Sequence, residues 1–222
     1  MSHQRNLLLQ LDGKLPNLAL MRLSAHLKQR GELVEFRQIR SPRMLEQGLF
    51  DEAWTQVYAS LIFDRMRPIA ERLRTVYPTA VIGGTGWNRS LRLDDLGVFE
   101  KEPDYSLYPE YRHSIGFTQR GCRLRCPFCC VPEKEGRVSQ ESSISEIWRG
   151  EPHPKNLLLL DNDFFGAPSW RERIHEIRNG GFRVCFNQGI NARLLDEETA
   201  AALASVRFSD DNFRTRRIYT AW

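Results

Sequence analysis

Residues 156–163 read Asn156-Leu157-Leu158-Leu159-Leu160-Asp161-Asn162-Asp163, four leucines without a break followed by three polar residues. A strand with one wet face alternates apolar and polar side chains. An unbroken run is what a parallel strand covered on both faces needs. The surrounding pattern agrees. Upstream, Ser114 to Thr118 predicts a strand, and Ser143-Ile144-Ser145-Glu146 is a capping box that opens a short helix ending at Gly150. Downstream, Ser169-Trp170-Arg171-Glu172 repeats the capping box, and Ile174 and Ile177 carry that helix to Gly180-Gly181. Phe182 to Phe186 is the next strand, Asp196 caps a helix through Leu203 and Val206, and Arg217 to Trp222 reads as one more strand. Strand and helix thus alternate three times, which predicts an α/β fold with parallel strands.

In such a fold the carboxyl ends of the strands share one rim, where ligands bind. The first strand delivers Gln119-Arg120-Gly121-Cys122 to that rim, the second Asp161-Asn162-Asp163 and the third Asn187-Gln188-Gly189. The plain alternative is that the aspartates begin turns and that Asn187 and Gln188 are ordinary loop residues.

The N-terminal half carries its own alternation. Asn6 to Leu11 reads as a strand, Leu18 to Leu27 as a helix closed at Gly31, Leu33 to Ile39 and Val57 to Phe63 as further strands, and Met66 to Leu73 as a second helix. Ala80-Val81-Ile82 then leads into Gly83-Gly84-Thr85-Gly86, a turn rather than a dinucleotide fingerprint. These features predict a small Rossmann-like unit. Asp94 to Pro109 lacks periodicity and reads as a linker, so the expected domains are 1–110 and 111–222.

The chain has 222 residues, 41% hydrophobic and 27% charged, the balance of a soluble globular protein. Its first apolar stretch is too short for a signal peptide or a membrane span, so the cytoplasm is expected. The formal charge is +4, and residues 111–137 alone carry six basic against two acidic side chains. Either an anionic ligand lies near that segment or it is a solvated basic loop.

That basic segment holds four of the five cysteines, Cys122, Cys126, Cys129 and Cys130, while Cys185 stands alone in an apolar run. A disulfide is disfavoured in a reducing compartment, and the adjacent Cys129 and Cys130 cannot pair without strain. A structural zinc site needs four ligands. Here the second pair is missing, Cys130 points away from its neighbour, and His113 lies before a strand. Cys126-Pro127-Phe128-Cys129 alone resembles a glutaredoxin dithiol, which leaves Cys122 without a role. Three thiolates at C-x3-C-x2-C spacing can also reach three corners of an iron-sulfur cube and leave the fourth iron open, whereas ferredoxin runs use four cysteines at other spacings. On the residues alone, zinc, dithiol and cluster all stand.

Cys122-Arg123-Leu124-Arg125-Cys126-Pro127-Phe128-Cys129, with its aromatic before the third cysteine and its place after the first strand of an α/β repeat, resembles the radical S-adenosylmethionine superfamily. The resemblance implies a 4Fe-4S cluster on Cys122, Cys126 and Cys129. It further implies S-adenosylmethionine bound through its amino and carboxylate groups at the open iron, and reductive cleavage to a 5'-deoxyadenosyl radical. Phe128 matches the aromatic beside the adenine. The family's Gly-Gly-Glu segment is absent, and Asp161 or Asp163 stands in its place as the acceptor for the ligand's ammonium. By position, Asn187 and Gln188 would face the ribose or carboxylate.

The first half resembles the cobalamin-binding-type domain of one branch of that superfamily. Its loop Leu11-Asp12-Gly13-Lys14-Leu15-Pro16 has no histidine, and His26 falls within a helix, so no cobalamin is expected. The second half is expected to be an incomplete (βα) radical partial barrel, apparently truncated after its fourth strand. The resemblance implies a flavodoxin or ferredoxin as reductant and an unknown substrate, with methyl or methylthio transfer among the activities of relatives. The competing readings are a non-catalytic or electron-transfer iron-sulfur module and a zinc-binding nucleic-acid module. For the latter, Arg214, Arg216 and Arg217 would meet phosphates, with no aromatic stacking motif beside them. No membrane partner is expected, nucleic acid stays open, and Cys130 has no assigned role.

Overall fold

The computed structural model describes residues 4–39, 41, 44, 54–99 and 101–221. The chain divides into two compact units, Met1–Tyr111 and Arg112–Trp222. Both are mixed α/β units with parallel sheets. Among the described residues no helix is long and apolar enough to cross a membrane.

The first unit runs β1 (Arg5–Gln10), α1 (Leu18–Gln29), β2 (Leu33–Gln38), β3 (Gln56–Ser60), α2 (Arg67–Val76) and β4 (Val81–Gly83). All pairings are parallel, in the order β2-β1-β3-β4. Leu7, Leu8 and Leu9 of β1 are fully buried because the strand is covered on both faces. Leu7 and Leu9 join Ile69, Ala70 and Leu73 of α2, while Leu8 joins Leu20, Leu23 and Leu27 of α1. That split follows from the two-residue period of a strand. Asn17 starts α1 by accepting the Leu20 amide at 3.1 Å.

The stretch read as a linker, already inside the expected domain 1–110, is packed into this unit, which corrects the linker reading. Val98 is buried with Leu8 and the α1 leucines. Tyr108 is buried, and its Oη donates to Gln10 Oε1 at 2.7 Å and accepts from the Asn17 amide at 3.0 Å. Asp104 accepts from Ser24 Oγ at 2.6 Å and Lys28 Nζ at 2.7 Å. Burial alone would raise the Asp104 carboxyl, but these bonds and those from Ser106 hold it down at about 2. Isolated anchors of this kind fix a segment without giving it a period.

The second unit runs β5 (Ser114–Gly116), β6 (Gln119–Arg120), α3 (Val131–Lys134), β7 (Ser139–Gln140), α4 (Ile144–Ile147), β8 (Asn156–Leu159), α5 (Trp170–Asn179), β9 (Arg183–Phe186), β10 (Ile190–Asn191), α6 (Glu197–Ala204), β11 (Arg207–Phe208) and β12 (Thr220–Ala221). Its main sheet is parallel, in the order β11-β9-β8-β5. Leu157 and Leu159 pack with Ile144 and Ile147 of α4, Ile174 and Ile177 of α5, and Leu203 of α6. On the opposite face Ile115, Leu158 and Cys185 stand in register across three strands and are also buried. The leucine run is therefore closed to water on both sides.

Three local expectations are revised here. The Ser143–Glu146 capping box forms as read, but its helix ends at Ile147, short of Gly150. Ser169 sits in the right-handed helical region and makes no side-chain cap, and Glu172 instead accepts from Arg173 at 3.1 Å. The fourth strand of the main sheet is β11, not the terminal segment. The segment after β11 carries exposed Arg214, Arg216 and Arg217, which a sheet interior cannot take, and only Thr220–Ala221 pairs, with β10. Trp222 lies outside the described residues.

Candidate functional site

After β5 the chain reaches Thr118, and β6 pairs antiparallel with β7, Gln119 to Gln140 and Arg120 to Ser139. The intervening loop therefore leaves and returns at one point. Gly121 opens it at φ 78°, where a Cβ would lie 2.4 Å from the Arg137 carbonyl oxygen, so no side chain fits. Cys122, Cys126, Cys129 and Cys130 all lie on this loop as free, half-buried thiols. The Leu124 amide donates to Cys122 Sγ at 3.3 Å and the Val131 amide to Cys129 Sγ at 3.5 Å. Cys129 N donates to the Cys126 carbonyl at 3.0 Å, closing a turn that leaves Phe128 91% exposed. Burial pushes the Cys122 thiol up, and the charges of Asp163, Cys129 and Cys126 push the same way against the Leu124 amide. Among the described residues no three His, Cys, Asp or Glu side chains gather to hold a single metal ion. His113 is placed at the amino end of β5, against Asn156 and Phe213, away from the loop's end of that strand.

Two carboxylates follow β8, and the fold gives them different surroundings. Asp161 is 4% exposed. Its Oδ1 accepts from the Gln119 amide at 2.6 Å and Thr118 Oγ1 at 3.1 Å, while Oδ2 is buried without a partner. Burial raises this carboxyl to about 7 against the lowering effect of the Gln119 and Thr118 bonds. Asp163 instead takes Arg123, Nε to Oδ2 at 2.9 Å and a terminal nitrogen to Oδ1 at 3.2 Å, with the Arg123 amide at 3.3 Å from Oδ2. Gly166 packs beneath it, where a Cβ would fall 2.6 Å from Asp163 Oδ2. Gln119 supports the same turn, its Nε2 donating to the Asp163 carbonyl and its Oε1 accepting from Ala167 N at 3.0 Å.

Arg123 and Asp163 line a small, shallow cleft, with Phe164, Phe165, Ile190, Asn191, Leu194 and Leu195 among its walls. The structure therefore brings Cys122, Arg123 and Asp163 together. Asp161 is sealed below the surface. Asn187 is half-buried and held through its amide to the Leu159 carbonyl at 3.0 Å, Gln188 is exposed, and the next residues, Gly189 to Asn191, line the cleft instead. Arg123 and Asn191 were missed in the sequence. A cation one residue past the first thiol and an aspartate after the leucine run were the available signal for the first.

At the corresponding strand ends of the first unit, the polar groups are committed to one another. Asp12 accepts the Ile62 and Phe63 amides at 2.8 and 2.7 Å, and Gln10 Nε2 donates to the carbonyls of Asp12, Gly13 and Leu15. Asn17 Nδ2 donates to Ser60 Oγ at 2.8 Å. This set offers no nitrogen ligand for cobalt and does not fit a cobalamin.

Arg216 stacks on Phe208 at 4.7 Å, and Arg214 and Arg217 are exposed beside it. In comparison with known proteins, no family model matches the chain and no curated protein matches it.

Proposed function

We propose that the second unit carries a 4Fe-4S cluster on Cys122, Cys126 and Cys129 and binds S-adenosylmethionine at the iron left without a thiolate, as a radical S-adenosylmethionine enzyme. The observation that carries this reading is the loop itself. Three free thiols at C-x3-C-x2-C spacing share one closed loop at the carboxyl end of a parallel sheet, two of them already accepting backbone N–H groups. A cube spreads its thiolates over separate irons, so the sulfurs need proximity and not convergence on one ion. Consecutive parallel strands laid side by side support the start of a (βα) partial barrel, and the order β2-β1-β3-β4 supports a Rossmann-like first domain of cobalamin-binding type without the cobalamin.

When bound, the cluster would supply one electron to break a carbon-sulfur bond of S-adenosylmethionine. The chain's own residues would bind and orient the ligand. Asp163 is the acceptor for the ligand's ammonium, because it lines the cleft while Asp161 is sealed. Its carboxylate keeps acceptor capacity beyond the Arg123 bonds. Arg123 brings the opposite charge for the ligand's carboxylate. Phe128 is available to the adenine, and Asn187 and Gln188 border the same rim on the ribose side. The substrate is open, methyl or methylthio transfer rests on fold analogy, and a flavodoxin or ferredoxin is the class of reductant.

Oxygen-free purification with iron and sulfide analysis, followed by electron paramagnetic resonance of the reduced protein with and without S-adenosylmethionine, tests this reading. A ligand-dependent spectrum and release of 5'-deoxyadenosine are expected. An iron-free protein overturns the reading, and a cluster indifferent to the ligand replaces it with an electron-transfer module.

A further inference from the structure

We propose that Glu135 is a positioning residue for this centre, tying the start of the cysteine loop to the polar end of β8 through one carboxylate oxygen. The inference rests on the cluster reading above for its function, and on the loop geometry for its existence. Glu135 follows α3 near the end of the loop, and its side chain is only 9% exposed. Its Oε2 accepts from the Gly121 amide at 3.0 Å and from Asn162 Nδ2 at 3.0 Å. Oε1 lies 3.7 Å from an Arg120 guanidinium nitrogen.

Each contact has a consequence. Gly121 is buried and immediately precedes Cys122, so its amide needs a partner. Glu135 supplies it from the other end of the loop. Asn162 lies between Asp161 and Asp163, so the same oxygen fixes the segment that presents Asp163 to the cleft. Glu135 itself lines no part of the cleft and bonds to no thiol. It acts through Gly121 on the placement of the first thiolate and through Asn162 on the placement of the ligand's acceptor. It also puts a desolvated negative charge at the base of the loop, which makes electron addition to a nearby cluster harder.

The test compares Glu135→Gln with Glu135→Ala in the full chain. The glutamine keeps one carbonyl oxygen able to accept both N–H groups, while alanine keeps none. In metal-free protein, amide hydrogen exchange across residues 119–125 should accelerate about tenfold in Glu135→Ala, the scale of one lost hydrogen bond to a charged group, and change little in Glu135→Gln. In cluster-loaded protein, Glu135→Ala should release iron to a chelator several-fold faster. Glu135→Gln should retain iron and shift the midpoint potential upward, a change that a purely structural role would not give. Should Glu135→Ala fail to fold, Asn162→Ala should accelerate exchange across residues 160–164 while leaving residues 119–125 protected. Unchanged exchange in these variants overturns the proposal. A parent chain that takes up no cluster overturns the functional reading instead, and exchange still decides whether Glu135 holds the loop.

Discussion

Arg123 and Asp163 hold each other at two points, so that the residue after the first loop cysteine is joined to the strand end that follows β8. Arg123 is 41% exposed, and water screens the pair. Its loss should cost only about 1 kcal/mol or less in urea unfolding. Function should suffer more. Arg123→Ala should weaken S-adenosylmethionine binding by about tenfold, read from the ligand-dependent spectrum of the reduced cluster. Arg123→Lys should not restore it, since an ammonium cannot make the two-point contact.

The loop sulfurs divide into three and one. Cys122→Ala, Cys126→Ala and Cys129→Ala should each lose most of the bound iron and sulfide in oxygen-free preparations. Cys130→Ala should keep the parent's content, because Cys130 opens α3 with its carbonyl on the Lys134 amide and stands outside the spacing of the other three. Equal loss in all four variants would make Cys130 a ligand and close the open iron.

Asp161 gives the metal-free protein a pH signature. In the unfolded chain the carboxyl titrates near its ordinary value of about 4, and burial in the folded state moves it to about 7. Below the lower value both states hold the proton, and above the upper value neither does. Between them the unfolded chain has released a proton that the folded chain keeps, so stability falls as pH rises from about 4 to about 7, by about 1.4 kcal/mol per unit at most. Asp161→Asn should flatten that slope in denaturant melts taken across the range.

Gly121→Ala should act on the loop and not on the cores. It combines a left-handed φ with a Cβ placed against the Arg137 carbonyl, so the base of the loop must open. A cost of roughly 1–3 kcal/mol is expected in thermal or urea unfolding, together with poor iron retention. Retention equal to the parent's would mean that the closed base is dispensable for the centre.

The sheets were legible because their inner strands carry unbroken apolar runs. Leu7-Leu8-Leu9 and Leu157-Leu158-Leu159 are apolar on consecutive positions, and only strands covered on both faces bury such runs. Val98, Asp104 and Tyr108 were illegible for the opposite reason, since each reaches the first unit alone from an aperiodic stretch. The two-residue β11 was not read as a strand, and Arg217 was placed in a terminal one, because neither segment is long enough to show alternation. The cysteine loop was legible in its spacing. The different surroundings of Asp161 and Asp163 were not, because they depend on Gln119 and Arg123, each about forty residues away. Glu135 was hidden likewise, its partners Gly121 and Asn162 lying to either side of it in the chain.

Cys185 is fully buried in the central strand β9, with its thiol pushed up to about 12 by burial and by Asp211 and Asp210. An alkylating reagent added to the native metal-free chain should therefore modify the four loop sulfurs and spare the fifth until the sheet comes apart. The second unit thus contains its own clock for unfolding, read by mass spectrometry as the moment a fifth adduct appears.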